Sequence, residues 1–131
     1  MTPEKIIKAL LEADAGVVAL VGTKLYDQTR PEADALPAVV WELISDIAEA
    51  PIRAGAGTQP TAARLQVNCL ATTIAAAKTL AEAVRTACHL QSGTIASATV
   101  MGTFCNRGPS SYDNTVEIYM QPVDVVIHYL R

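Results

Sequence analysis

The segment LPAVVWELIS at residues 36–45 constrains the fold most, because it is apolar on both sides of a strand. Consecutive side chains of a strand point to opposite sides of the sheet. This alternation places two apolar sets on opposite sides of the strand, one of Val39, Trp41 and Leu43 and the other of Val40 and Ile44. A strand at the surface of a small domain alternates apolar and polar residues instead. The second side therefore requires a cover, which is either another layer of the same chain or a neighbouring molecule.

Length and composition favour one domain that associates with other molecules. The chain has 131 residues, which is the length of a single domain. Half of its residues are apolar and only 18% are charged, so a monomer would leave apolar surface uncovered. The net charge is −3, and residues 27–49 hold six acidic side chains against Arg30 alone. Nucleic-acid binding needs clustered Lys and Arg, so this distribution argues against a nucleic-acid grip.

Cysteine usage and hydropathy indicate a soluble protein made in the cytoplasm. The three cysteines, Cys69, Cys88 and Cys105, form no C-x-x-C pair, so neither a zinc site nor a redox pair is supported. We interpret them as small apolar side chains of the core in a reducing compartment. Acidic residues interrupt the apolar N-terminus, unlike a secretory signal. No apolar run approaches the ~18 residues of a membrane-spanning helix.

Two main helices are predicted. The first begins at residues 2–4, where Thr-Pro-Glu offers a capping hydroxyl, a proline at the first helical position and an early acid. It closes near Asp14, and a further short turn follows through Val21. The second helix is capped by Thr72 or Thr73 and reaches about residue 89. Its alanine-rich core stripe consists of Ala77, Leu80, Ala81, Val84 and Cys88.

The remaining patterns predict strands and two loops. Strands are predicted at residues 38–45, 64–69, 94–105 and 116–130. Pro122 implies a bulge or an edge position in the last of them. A long loop lies at about residues 47–62, and residues 106–114 form a polar turn. This order predicts one α+β domain with an antiparallel or mixed sheet of about four to five strands and the two main helices packed on one face.

No sequence motif carries a reaction. Ser110 and Ser111 lack a G-x-S-x-G frame. Residues 16–24 differ from a phosphate-binding loop, because five residues separate the glycines and a threonine precedes the lysine. Surface positions explain His89 and His128 more simply than catalysis does. We therefore predict no catalytic, cofactor-binding or metal-binding residues and no enzyme; a small hydrolase or ligand-binding domain is the alternative from another class.

Three segments together resemble a known family. Residues 9–45 contain a helix, then V-G-T-K-L-Y, a variable loop, and L-P-A-V-V leading into a strand. Residues 64–88 combine a strand, a short threonine-containing turn and an alanine-rich helix, and the chain closes with VEIYMQPVDVVIHYLR. In this order and spacing they resemble the tail-completion, or tail-terminator, proteins of long-tailed bacteriophages and prophages. The segment NRGPSSYDN at residues 106–114 departs from the longer, aspartate-rich approach often found in that family.

The resemblance implies a structural virion protein. Members of the family form a ring, commonly of six subunits, at the head-proximal end of the tail tube. The ring stops tube polymerisation and joins the tail to the head connector. The implied partners are further copies of the chain, the major tail tube protein, the head-tail connector or stopper protein, and genomic DNA that crosses the lumen without specific binding. Assembly takes place in the bacterial host cytoplasm without a membrane. Another neck adaptor, such as a head-closure or stopper protein, is the alternative.

Three candidate contact surfaces follow from these patterns. A subunit or partner interface is predicted at Val40, Glu42, Ile44, Lys78, Glu82 and Arg85. A plain solvated helix face explains the last three equally well, and a central strand covered on both sides within the monomer is the alternative for the strand. A mobile docking loop is predicted with Pro51, Arg53, Gly55, Gly57 and Gln59. A second contact loop is predicted with Arg107, Tyr112 and Asp113.

Overall fold

A computed structural model describes residues 2–22, 24–27, 37–48, 60–114 and 117–130. The helices in these ranges are α1 (Thr2–Ala13), α2 (Ala15–Val21) and α3 (Ile74–Cys88). The strands are β1 (Leu25–Asp27), β2 (Ala38–Ala48), β3 (Pro60–Ala71), β4 (Gly93–Ile95), β5 (Ala98–Arg107), β6 (Ser111–Asp113) and β7 (Ile118–Leu130). The predicted α+β class is confirmed, and the short turn predicted after the first helix is the helix α2.

The described strands form one mixed sheet with the order β1-β2-β3-β7-β5-β4, and β6 pairs with β7 beside this row. β1 and β2 are parallel, and the other pairs are antiparallel. The predicted four to five strands were too few. β1, β4 and β6 have three residues each, which is too short for apolar and polar residues to show a period of two.

The helices cover one face of the sheet, called here the inner face, and the opposite face is called the outer face. Rows of buried side chains from neighbouring strands line the inner face, for example Trp41, Val67 and Val123 in register. The core stripe predicted for the second main helix is buried in α3. Thr73 caps α3, since its hydroxyl oxygen accepts from the Ala76 amide at 3.2 Å. One hydrophobic core therefore lies between the helices and the inner face.

Pro122 lies inside a central strand, so the prediction of a bulge or edge position there is wrong. β7 runs between β3 and β5, and Pro122 faces Asn68 of β3. In an antiparallel pair the N–H and C=O groups of one residue point to the same neighbour. The Pro122 carbonyl accepts from the Gly108 amide (2.9 Å), just past Arg107, where the β5 ladder ends. The Pro122 nitrogen, which carries no hydrogen, therefore faces away from β3, and the ladder between β3 and β7 loses no hydrogen bond.

The connection predicted at about residues 47–62 is shorter than expected, because both of its ends belong to strands. β2 continues through Ala48, and β3 begins at Pro60. Alternation was weak in this stretch, since alanine, glycine and proline dominate it. Pairing between β2 and β3 extends the strands, with Ala48 opposite Thr61.

Candidate functional site

The outer face of the sheet carries an apolar patch that none of the described helices covers. We define the outer apolar patch as Ile44, Ile47, Met101, Phe104, Val126 and Leu130. Its members come from β2, β5 and β7, and the in-register row that ends in Phe104 runs from Ser45 through Arg64 and Val126, so the exposed Arg64 of β3 lies between the β2 members and the others. Ile47 is the most exposed member at 64%, and Phe104 is 47% exposed. Exposed apolar side chains grouped on one face make it a candidate surface for contact with another molecule.

Two β-bulges set which side chains reach this patch. The bulge in β2 leaves Ile44 as the extra residue, and the bulge in β5 leaves Met101. An extra residue reverses the inward and outward phase of the strand beyond it. Ile47 therefore points outward and Asp46 inward, where the buried Tyr129 hydroxyl donates to the Asp46 carboxylate at 3.0 Å. Gly102, a glycine inside a strand, is a local signal for the bulge in β5, whereas no such residue marks the bulge in β2.

Both histidines lie around Phe104 and support the edge of the sheet. The Phe104 ring makes edge contacts with His128 and His89, with ring centroids 5.9 and 6.5 Å apart. The Nδ1 atom of His89 accepts from the Cys105 amide at 3.1 Å, so the residue after α3 pairs with β5. The geometry gives each histidine a packing role.

Of the three strand residues predicted to contact a partner, the structure leaves two exposed. Val40 is only 7% exposed, so this residue is corrected from the predicted surface to the interior of the subunit. β1 pairs along β2 and places Tyr26 beside Val40, an arrangement that the local pattern does not reveal. Glu42 is exposed, and Ile44 is 47% exposed within the outer apolar patch.

Two of the predicted contact surfaces meet at α3. Lys78, Glu82 and Arg85 are all exposed on this helix. The Arg107 guanidinium reaches the Glu82 carboxylate at 3.1 Å, and both side chains are about half exposed. Arg107 belongs to β5 and not to a loop. The pair joins the helix face to the end of β5, although an exposed pair contributes less than ~1 kcal/mol.

The other predicted contact residues are only partly covered by the described ranges. Tyr112 lies in β6, is 44% exposed, and has its ring centroid 4.4 Å from that of Tyr119. Asp113 ends β6. The loop residues Pro51, Arg53, Gly55, Gly57 and Gln59 lie outside the described residues. Their predicted role in docking stays a prediction.

A groove beside α1 is the feature that the sequence patterns missed. One depression of about 320 Å³ is lined by Glu4, Lys5, Lys8, Leu25, Asp27 and Trp41. A second, of about 460 Å³, is lined by Lys8, Glu12, Val18, Gly22 and Leu25. They share Lys8 and Leu25, and we call them together the α1 groove.

At the polar end of the α1 groove, two buried polar atoms have no hydrogen-bond partner among the described residues. They are the indole Nε1 of Trp41 and the Oε1 of Glu4. Trp41 is only 2% exposed, so solvent does not satisfy its N–H group. A buried tryptophan usually finds a partner for this group.

The thiols behave as core side chains. Cys69, Cys88 and Cys105 are buried and free, which confirms that they pack as small apolar residues. Burial raises the pKa of the Cys69 thiol to about 12. A hydrogen bond with the Cys105 thiol, together with burial, raises the pKa of Cys88 well above its ordinary value. Within the described ranges, no three His, Cys, Asp or Glu side chains are placed to hold a metal ion.

Helices within the described ranges are also too short or too polar to cross a membrane.

An α+β domain with an uncovered sheet face and a separate groove has the features of a component of a larger assembly. The model of the family described as "Tail completion protein gp17" matches residues 5–127, and the chain belongs to this family. The resemblance seen in the sequence is thereby confirmed. The protein is a structural protein of a phage-type tail and a component of the virion.

The same fold occurs in a solved virion structure. A chain of the structure titled "Virion of native gene transfer agent (GTA) particle" superposes with a TM-score of 0.76. The two are 19% identical, and the match covers 98% of this chain and 94% of that chain. At this identity the likeness shows the fold. No curated protein sequence matches the chain.

Proposed function

We propose that the protein forms a homohexameric ring at the head-proximal end of the tail tube. The ring stops polymerisation of the tube and joins the tail to the head connector, and genomic DNA passes through its lumen. Family membership supports the place in the tail. The observation that carries the ring is the outer apolar patch, which the described helices leave open.

The size of the patch supports a contact that recurs in every subunit. It crosses four neighbouring strands, which at ~4.8 Å per step gives a width of roughly 14 Å. About half of the Phe104 side chain and more of Ile47 are exposed, so covering each contributes ~1 kcal/mol. Single exposed apolar residues are normal on a monomer, whereas a group larger than a few hundred Å² marks an interaction site. A closed ring repeats the gain at each interface.

The charge of the chain fits the passage of DNA. With a net charge of −3, the subunit lacks the clustered cations that would retain the phosphate backbone. The polar face of α3, with Lys78, Glu82 and Arg85, and the nearby Arg107 offer a second surface. We assign this surface to the major tail tube protein or to the head connector.

Removal of the protein from the producing host tests the proposal. The expected result is full heads beside unjoined tails whose lengths extend beyond the wild-type length. Supplying the wild-type protein from a plasmid is the control and restores joined particles. Normal infectious particles in its absence would contradict a role in completing the tail.

Labelled particles separate this role from that of a head-closure or stopper protein. Electron microscopy of tagged protein is expected to show the label on the ends of isolated tails. A stopper binds the head before the tail arrives, so label on isolated heads and not on isolated tails would support that alternative.

A further inference from the structure

Building on the proposed ring, we infer that the outer apolar patch of one subunit docks into the α1 groove of the next copy. A closed ring made from one kind of subunit requires two different surfaces on each subunit. The patch lies on the outer face of the sheet, whereas the groove lies on the helix-covered side beside β1. Because they point away from each other, these surfaces meet only between copies.

The apolar end of the groove matches the patch in chemistry and size. Val18 and Leu25 line this end, and Gly22 leaves it open because glycine has no side chain. Val18 is 41% exposed, so it gains from being covered. The depression of about 460 Å³ has the size of an ordinary binding pocket and accommodates the projecting Ile44 and Ile47.

One pair of charges beside the two surfaces is complementary. Glu42 is exposed in β2 next to Ile44, and it makes no ion pair with the described residues. Lys5 and Lys8 line the groove together with three acidic side chains, Glu4, Glu12 and Asp27, so the groove is mixed in charge. Lys8 contacts Glu12 at 3.7 Å with both side chains more than half exposed, a weak pair that is readily exchanged. Docking therefore brings Glu42 to Lys5, an exposed cation that makes no ion pair with the described residues.

The unpartnered atoms at the polar end of the groove also favour an incoming protein surface. The Trp41 N–H needs an acceptor and the Glu4 oxygen needs a donor, and each unmet buried group costs ~1–3 kcal/mol. The outer-face row beside the patch includes Gln66 and Asn106. A carboxamide supplies a donor and an acceptor together, so this row offers the groups that the groove lacks.

Disulfide cross-linking between variants that each carry one added cysteine tests the contact. V18C places a thiol in the groove and I47C places one in the patch, both at exposed positions that tolerate substitution. The native cysteines are buried, so they leave the engineered pair selective. Particles made in cells that produce both variants should yield a cross-linked dimer, whereas particles with either variant alone should yield none. Dimers of V18C alone or I47C alone, or no dimer in the mixture, would overturn the inference.

A charge exchange provides an independent test. E42K should reduce the recovery of joined particles, and so should the K5E/K8E variant. The chain carrying all three changes should regain joined particles, because every interface then holds opposite charges again. E117K changes an exposed acid outside both surfaces and is the matched control. A triple variant no better than E42K would overturn the inference.

Failure of this contact is distinguishable from failure of the proposed function. If wild-type particles show a ring at the tail end but no V18C–I47C dimer forms, the inference is wrong and the proposed function stands. If the wild-type protein forms no ring at the tail end, both are wrong.

Discussion

Replacing Tyr129 with phenylalanine tests how the subunit holds the outer apolar patch. Tyr129 is 1% exposed, and its hydroxyl donates to the Asp46 carboxylate, with distances of 3.0 and 3.2 Å to the two oxygens. Asp46 lies in β2 just beyond the bulge, and Ile47 of the patch follows it. The hydrogen bond therefore links β2 to β7 across β3.

The expected loss in the free energy of unfolding is about 1.5 kcal/mol. A hydrogen bond to a charged group contributes ~1.5–3 kcal/mol. Asp46 is half-buried, so water replaces part of the lost bond and the value lies at the lower end. Phenylalanine keeps the ring, so the change adds no cavity, whereas truncation of a large aromatic side chain to alanine would cost ~3–5 kcal/mol.

Urea unfolding followed by tryptophan fluorescence measures this loss, because Trp41 is the single tryptophan of the chain and is buried in the core. Y129F, D46A and the double variant form a cycle in which the two single losses should not add, since both remove the same bond. A Y129F variant within ~0.3 kcal/mol of wild type, or losses that add fully in the double variant, would refute the reasoning.

Three further predictions concern the core, a turn and the helix face. Burial raises the pKa of Cys69 from 9.0 to about 12, so the folded protein keeps this proton longer than the unfolded chain does. The contribution of the protonated thiol to the free energy of unfolding is complete below pH 9 and declines by ~1.4 kcal/mol per pH unit above pH 9. The C69V variant should therefore lose stability less steeply in alkaline thermal melts, and an unchanged slope would contradict this expectation. The turn between β4 and β5 holds Ala96 and Ser97 at positive φ, 51° and 65°. A96N/S97G should therefore raise the urea-derived free energy of unfolding by ~1 kcal/mol, and no gain would argue against strain there. The Glu82–Arg107 pair is about half exposed, so E82Q should cost less than ~0.5 kcal/mol, and a larger loss that persists in high salt would contradict a screened surface pair.

Elements long enough to display a full period were predictable from the sequence. The stripe of Ala77, Leu80 and Val84 is buried in α3, and Leu65 and Val67 alternate inward in β3. Side-chain direction in a helix or strand follows from the local backbone, so the pattern is readable without knowing any neighbour. The order and spacing of the same apolar segments carried the resemblance that the family match over residues 5–127 confirms.

The candidate site was only partly predictable for the opposite reason. Glu42 and Ile44 are exposed as expected, but Val40 is covered within the subunit, and the groove under Trp41 was not foreseen. Each of these outcomes depends on which strand lies beside β2 and on where α1 crosses it. Neither arrangement can be inferred from a short stretch of the sequence.

The sequence by itself determined the class of the fold, the main helices, the strand with two apolar sides and the family. Only the tertiary structure decided that Pro122 fits a central strand, that a bulge turns Ile47 outward, and that Arg107 meets Glu82. The physical reason is the distance along the chain over which each feature is determined. A period of 2 or 3.6 residues is a local property of the chain, whereas strand register and bulges arise from pairing between residues far apart in sequence.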